Sequence, residues 1–150
     1  MISQTAEYAL RAVTVLASHP DRPLTAQQVA ARTRAPASYL SKVLQALGRA
    51  GLVHSQRGLG GGYMMSRPLG ELSVLDVINA VDPLKRIDRC PLGLPAHKRR
   101  LCSLHKQLDQ GIALVESLFG QTTIAQLLAD QRPSPPLCEV AALDSSYPHR

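Results

Sequence analysis

Apolar residues in the first third of the chain recur at helical spacing in two separate stretches. Residues 4–18 mix large aliphatic side chains with small and polar ones, which predicts a helix buried on much of its surface. Residues 36–51 repeat this spacing and end at a glycine, with the predicted core positions Leu40, Val43, Leu44 and Leu47. Between the two, Thr25 followed by Gln28 has the sequence of a capping box and predicts a short helix to about Thr33. The pattern therefore predicts three consecutive helices.

A pair of short strands follows the third predicted helix. Residues 52–55 and residues 62–65 have the composition of strands, and the glycines between them favour a tight turn. Two helices joined by a short link, with a hairpin after them, are typical of a winged helix-turn-helix. Arg57 lies among the glycines of the turn, so its guanidinium could enter a DNA minor groove or contact a phosphate.

Two further helices are predicted beyond a break at Pro68. Residues 69–81 form a short apolar helix capped by Ser73. Residues 102–119 form a longer helix with apolar residues at heptad-like spacing, namely Leu104, Leu108, Ile112, Val115 and Leu118. A helix with such a stripe has to bury it, either against a second copy of the chain or against its own domain. Thr123 then caps a short final helix.

Together these elements predict a mainly α fold with a small β-hairpin wing, in which a winged helix-turn-helix is joined to a long dimerisation helix. We predict a DNA-binding domain over residues 1–82 and a cysteine-containing sensor loop over residues 83–101. The dimerisation helix and a short C-terminal helix are expected over residues 102–131. Residues 132–150 contain four of the eleven prolines, which predicts a disordered tail.

The positive charge of the chain is concentrated in two blocks. The net charge is +6, and residues 1–67 hold eight Lys and Arg against two acidic residues. Residues 83–106 hold seven basic residues and one acidic residue. Basic blocks within a compact domain favour a polyanionic partner, because neutralising phosphates releases condensed counterions. The charge pattern therefore agrees with double-stranded DNA as the partner.

Several other classes of protein are disfavoured by the sequence. No apolar stretch approaches the roughly 20 residues that cross a bilayer, and the N-terminus lacks the pattern of a signal peptide. We therefore expect a cytoplasmic protein without a membrane partner. No catalytic motif pairs a nucleophile with a base, so an enzyme is not expected. A protein–protein adaptor remains the alternative, because winged helices also serve as interaction modules.

Several segments resemble the Rrf2 family of bacterial winged-helix regulators, which includes iron–sulfur, nitric oxide and iron-responsive repressors. The most specific is the Arg-Gly-x-x-Gly-Gly-Tyr sequence of residues 57–63, and the resemblance extends over residues 1–130. Further similar segments are Glu7–Arg11, Ser38–Leu40, Leu47–Val53, Val74–Ile78 and Thr123–Leu128. The resemblance implies a homodimer, formed through the long helix, that binds a pseudo-palindromic operator and acts as a sequence-specific repressor.

The resemblance also implies which residues contact DNA. The recognition helix should present a polar set to the major groove, where its members can bond base edges or phosphates: Ser38, Tyr39, Ser41 and Lys42. In the wing, the implied contacts are Arg57, Gly58, Gly60 and Gly61. The expected phosphate contacts are Thr25, Gln27 and Arg34.

Family members that bind a cluster use three cysteines in the loop before the long helix, with a fourth ligand that varies. Cys90 and Cys102 match the outer two cysteines, whereas Ala96 occupies the middle position. The further candidate ligands are His97, His105 and Glu7 of the partner subunit. Two thiolates with one or two imidazoles could hold a 2Fe-2S cluster, because His can replace Cys on one iron. The same set would suit tetrahedral zinc.

Other interpretations of these cysteines stay open. Basic residues surround Cys90 and Cys102 in the sequence, which favours the reactive thiolate and direct thiol chemistry. The protein could also bind no metal, with both thiols merely semi-buried. Cys138 lies in the predicted tail, outside the family pattern, and is expected to be incidental.

Overall fold

The structure is a computed structural model that describes residues 2–95 and 100–130. In chain order the elements are α1 (Gln4–Ala17), α2 (Ala26–Thr33), α3 (Ala37–Arg49), β1 (Val53–Gln56), β2 (Gly62–Met65), α4 (Val74–Val81), α5 (Ser103–Gln121) and α6 (Ile124–Ala129). This order confirms the predicted mainly α fold with a β-hairpin wing. Among the described residues, no helix has the length and apolar character needed to span a membrane. Ala96, His97, Cys138 and the predicted tail lie outside the described residues.

The first helix forms the centre of the aliphatic core. Eight of the 14 residues of α1 are buried, and the helix packs against α2, α3 and α4. Small residues allow this close packing of α1, because the buried Ala6, Ala9 and Ala12 let neighbouring helices approach its backbone. The inner face of α3 contributes the four positions that the sequence predicted, Leu40, Val43, Leu44 and Leu47, and all four are buried.

Local signals set the ends of α2 and α3. The Thr25 side chain accepts a hydrogen bond from the Gln28 backbone, and the Gln28 side chain bonds back, which confirms the predicted capping box. Arg34 ends α2 in the left-handed region, with φ of 52°. Pro36 was predicted within the first turn of the third helix, but it is the N-cap residue and α3 begins at Ala37. No side chain caps α3, because proline has no polar side-chain atom.

The hairpin is tied to the loop between α1 and α2. Strands β1 and β2 pair antiparallel, with Val53 opposite Met65. The Leu24 backbone N–H donates to the Tyr63 carbonyl at 3.1 Å, and the Tyr63 N–H donates to the Leu24 carbonyl at 2.7 Å. At Gly62 a Cβ atom would lie 2.5 Å from the carbonyl carbon of Leu24, so only glycine fits this contact. The base of the wing is therefore fixed to the core.

The C-terminal elements differ in one respect from the prediction. Helix α4 begins at Val74, not near Leu69, because Ser73 and Asp76 form a capping box that starts the helix there. Leu72 is buried in the segment before α4, and its carbonyl accepts the Ile124 N–H at 2.8 Å. The Val74 N–H donates to the Thr122 carbonyl at 2.9 Å. These bonds attach the end of α5 and the start of α6 to α4.

Candidate nucleic-acid interface

Helix α3, the candidate recognition helix, turns a polar face outward. Ser38 and Lys42 are exposed, while Ser41 is half-buried and donates its hydroxyl proton to the Ala37 carbonyl at 3.0 Å. The opposite face is held in the core, which fixes the helix against the domain. The structure therefore brings three of the four residues predicted on this helix to one accessible polar surface.

Tyr39, the fourth residue, makes contacts within the protein. Its hydroxyl forms a short hydrogen bond with the Thr5 hydroxyl at the start of α1. Its ring meets the ring of Tyr8 edge to face, with centroids 5.7 Å apart and planes 70° apart. The side chain nevertheless remains 37% exposed. Local sequence patterns did not predict these contacts, since the partners lie far apart in the chain.

Glycine backbones shape the tip of the wing. Gly58 and Gly60 have φ of 97° and 75°, a region that favours glycine. At Gly61 a Cβ atom would lie 2.2 Å from the Gln56 carbonyl oxygen, so this turn closes only around glycine. Arg57 is exposed beside them. Leu59, at the tip, is fully exposed, and sequence reasoning did not single it out.

The three predicted phosphate contacts lie on or beside α2. Thr25, Gln27 and Arg34 are all exposed, at the start, in the first turn and at the end of this helix. The Thr25 hydroxyl already accepts the Gln28 N–H at 3.2 Å, so its oxygen caps α2. Arg34 and Thr25 lie at opposite ends of a two-turn helix, so these residues do not form a single cluster.

Arg11 connects α1 to the end of α2. Its Nη1 atom donates to the Thr33 carbonyl at 3.1 Å, and its Nη2 atom bonds the Glu7 carboxylate. The guanidinium carbon also lies 5.6 Å from the centroid of the Tyr8 ring. Glu7, the predicted ligand from a partner subunit, is thus an ion-pair partner of Arg11 within its own chain.

The candidate metal ligands are only partly brought together. Cys102 is the N-cap residue of α5, and its Sγ atom lies 3.3 Å from His105 Nδ1. Cys90 is buried in the preceding loop. In residues 2–95 and 100–130, no group of three or more His, Cys, Asp or Glu side chains could hold a metal ion. The described part of one chain therefore provides a two-donor pair, short of the four ligands that zinc or a cluster needs.

An arginine clamp joins the loop before α5 to that helix. Arg86 donates from Nε and Nη2 to the two oxygens of Asp109, at 2.7 and 2.6 Å, and from Nη1 to Glu116 at 3.3 Å. The Ile87 N–H adds a bond to Asp109 at 2.9 Å. The hydrogen bonds to Asp109 lower the pKa of its carboxyl to about 2, and those from Arg86 contribute more than the one from Ile87. Sequence reasoning missed this clamp because its members are more than twenty residues apart.

Known proteins with similar sequences are transcriptional regulators. The family model described as Rrf2, iron-dependent transcriptional regulator, matches residues 2–130. An HTH-type transcriptional regulator of Haemophilus influenzae is 31% identical over 129 residues, which is 85% of each chain. The HTH-type transcriptional regulator IscR of Xenorhabdus nematophila is 28% identical over 131 residues, 87% of this chain and 80% of the relative.

Solved structures share the fold of this chain. The T. potens IscR superposes with a TM-score of 0.71 at 22% identity, covering 100% of this chain and 93% of the other. CymR (YrzC), the global cysteine regulator of B. subtilis, superposes with a TM-score of 0.69 at 24% identity, covering 85% of this chain and 95% of the other. These likenesses confirm the winged-helix fold, and the relatives are regulators and not enzymes. Since the family match spans most of the sequence, the chain belongs to the Rrf2 family of transcriptional regulators.

Proposed function

We propose that this protein is a homodimeric repressor that binds a pseudo-palindromic operator in double-stranded DNA. The observation that carries the proposal is the exposed polar face of α3 next to a wing whose Arg57 extends among glycines. A helix and a wing arranged in this way can read a major groove and the adjoining minor groove at once.

In the major groove, Ser38, Ser41 and Lys42 contact base edges and phosphates. Because Ser41 donates its proton to a backbone carbonyl, its oxygen is left to accept from a base amino group. Lys42 can donate to guanine or to a phosphate. In the minor groove, the wing follows the sugar–phosphate walls through Arg57 and the backbone of Gly58, Gly60 and Gly61. Phosphates outside the wing are contacted by Thr25, Gln27 and Arg34.

The second copy of the chain binds along α5. None of the 19 residues of this helix is buried, although it carries a stripe of leucines. Burying that stripe in a two-fold dimer would place two recognition helices on one DNA face. The operator half-sites would then lie about one helical turn, roughly 34 Å, apart.

In this proposal, the loop before α5 senses redox state, nitric oxide or iron–sulfur status. We expect Cys90, Cys102 and His105 to hold a 2Fe-2S cluster, completed by His97 or by Glu7 of the partner subunit. A bound cluster would supply a redox- and nitric oxide-sensitive group next to the dimer helix. Zinc and direct thiol oxidation of Cys90 or Cys102 are the competing chemistries.

Absorption spectroscopy distinguishes these chemistries. The protein is purified without oxygen, and iron, sulfide and zinc are quantified. Visible absorption with stoichiometric iron and sulfide, lost in Cys90→Ala, would support the cluster. A colourless, iron-free protein that still binds DNA would leave the regulator in place and direct attention to zinc or thiols.

Operator binding is tested by selecting duplexes from a random pool and measuring their affinity by fluorescence anisotropy. Affinity for the selected duplex should fall steeply between low and moderate salt. Lys42→Ala should weaken operator binding by about tenfold, since one good base contact contributes roughly 1–3 kcal/mol. Arg49→Ala, an exposed arginine in the last turn of the same helix, is the control. If no duplex is enriched, the proposal of operator binding fails and the adaptor alternative stands.

A further inference from the structure

Two residues at the start of α1 contact the recognition helix through a single side chain. We propose that Thr5 and Tyr8 position the start of α3 through Tyr39, so that Tyr39 serves as a strut between the two helices. This role differs from the groove contacts of Ser38, Ser41 and Lys42. The inference rests on the proposed function, in which α3 reads DNA, and it identifies the residues that set the orientation of that helix.

The contact at Tyr39 combines two different interactions. The Tyr39 hydroxyl is bonded to the Thr5 hydroxyl, and the Tyr39 ring packs edge to face on Tyr8. The Tyr8 ring is itself restrained, since its hydroxyl accepts a hydrogen bond from Gln4 Nε2 at 3.1 Å. The Tyr39 ring is held at its edge by Tyr8 and at its hydroxyl by Thr5. These two contacts together restrain the distance between α1 and α3 and the direction of their contact.

Helix α3 needs this support because its own start is weakly fixed. Pro36, the N-cap residue, makes no side-chain cap hydrogen bond, whereas α2, α4 and α6 each have a capping box. A missing cap leaves the first backbone N–H groups of the helix without a local side-chain partner. Tyr39 lies in this first turn, so its bond to Thr5 ties down the end of α3 that carries Ser38.

A second bond from α1 holds the other side of the turn. Arg11 donates to the Thr33 carbonyl at the last residue of α2, and its guanidinium also lies over the Tyr8 ring. Helix α1 therefore contacts both sides of the link between α2 and α3, at Thr33 before the link and at Tyr39 after it. Because α1 is the most buried helix of the core, it provides a rigid reference for the angle of the recognition helix.

A double-mutant cycle on Thr5 and Tyr39 distinguishes a positioning role of Tyr39 from a direct contact between Tyr39 and DNA. The variants are Tyr39→Phe, Thr5→Val and the double variant, measured on the selected operator and on unrelated duplex DNA. Each single change should weaken operator binding by about three- to tenfold, the effect of losing one hydrogen bond. The double variant should be no weaker than the worse single variant, because both changes remove the same bond. Affinity for unrelated DNA should stay within about twofold, because counterion release depends on the unchanged basic residues.

Two controls accompany the cycle. Thr5→Ser keeps the hydroxyl and should restore operator affinity. Thr14→Val removes another α1 hydroxyl, which bonds the Leu10 carbonyl within that helix, and should leave operator affinity unchanged. Thermal melting of every variant separates loss of positioning from loss of folding, and Thr5→Ala replaces Thr5→Val if the latter melts early.

The inference is overturned if Thr5→Val binds the operator like the wild type while Tyr39→Phe does not, since Tyr39 would then contact DNA directly. Additive losses in the double variant would overturn it as well. A wild-type protein that selects no duplex would instead remove the proposed function on which the inference rests.

Discussion

The helix-turn-helix half of the molecule and the long helix α5 differ in what they bury. In α1, eight of 14 residues are buried, and the inner face of α3 is equally enclosed. In α5, none of 19 residues is buried. Its leucines are between 51% and 73% exposed, namely Leu104, Leu108, Leu114 and Leu118. Leucines therefore occur in both regions, but they are buried in one and exposed in the other.

This difference shows that one half has its own buried core, and it supports the proposal that the other half is an interface. Helix α5 is attached at its end through the Thr122 carbonyl and along its length through the clamp from Arg86 to Asp109. Neither attachment covers the leucines. Exposed apolar side chains at helical spacing on a tethered helix are what a helix-to-helix dimer buries.

The largest effect is expected from a charge placed in the leucine stripe. Leu108→Glu should convert the dimer to a folded monomer, because a carboxylate opposite its own copy would be desolvated and repelled. Operator affinity should fall roughly 100-fold or more, since the second half-site no longer benefits from a linked partner. Sedimentation measures the mass, anisotropy the affinity and circular dichroism the retained helix.

Gln110→Glu is the matched control for that variant. Gln110 is exposed on the same helix, and the substitution adds the same charge on the side of the helix away from Leu108. It should remain dimeric and bind the operator. A Leu108→Glu protein that sediments as a dimer would break the distinction between the two halves of the molecule.

The parts of the fold that local sequence encodes were predicted correctly. The capping box of Thr25 and Gln28 and the cap at Ser73 each lie within one helical turn, so the sequence alone reveals them. The apolar periodicity of α3 likewise predicted its four buried residues. These signals place the exposed face of the recognition helix without any tertiary information.

Contacts between distant segments could not be predicted in this way. Tyr39 stays a predicted DNA contact and is 37% exposed, whereas its bond to Thr5 depends on how α1 packs beside α3, which no local pattern reveals. The clamp on Asp109 depends similarly on the path of the loop before α5. Leu72 was counted with the apolar residues of α4, but it precedes the predicted cap at Ser73, since a buried apolar residue is not necessarily part of the helix beside it.

A substitution in each half would sharpen the contrast, and the core substitution should have the larger effect. Leu44→Ala, at a fully buried position, should lower the free energy of unfolding by about 2–5 kcal/mol. Leu114→Ala, made in the monomeric Leu108→Glu background, should change it by about 0.5 kcal/mol or less. Urea denaturation followed by circular dichroism measures both. Similar losses at the two positions would mean that α5 is packed within one chain after all.

The smallest effect is expected from the arginine clamp that joins the loop before α5 to that helix. Hydrogen bonds from Arg86 and from the Ile87 N–H lower the pKa of Asp109 to about 2, below its value in an unfolded chain. The carboxylate therefore stabilises the fold above the unfolded value of about 4, and this contribution is lost as the pH falls towards 2. Asp109→Asn should remove that part of the pH dependence of urea unfolding. Both partners are partly solvated, so the loss should be much smaller than that of Leu44→Ala.

A double-variant cycle shows whether the clamp is the cause of that dependence. In the Arg86→Gln background, the Asp109→Asn substitution should have little further effect on the acid limb, because the main hydrogen bonds to the carboxylate are already gone. Equal effects in the two backgrounds would show that Asp109 stabilises the fold independently of Arg86. The bond from the Ile87 N–H to Asp109 would then be the main link between this carboxylate and the loop before α5.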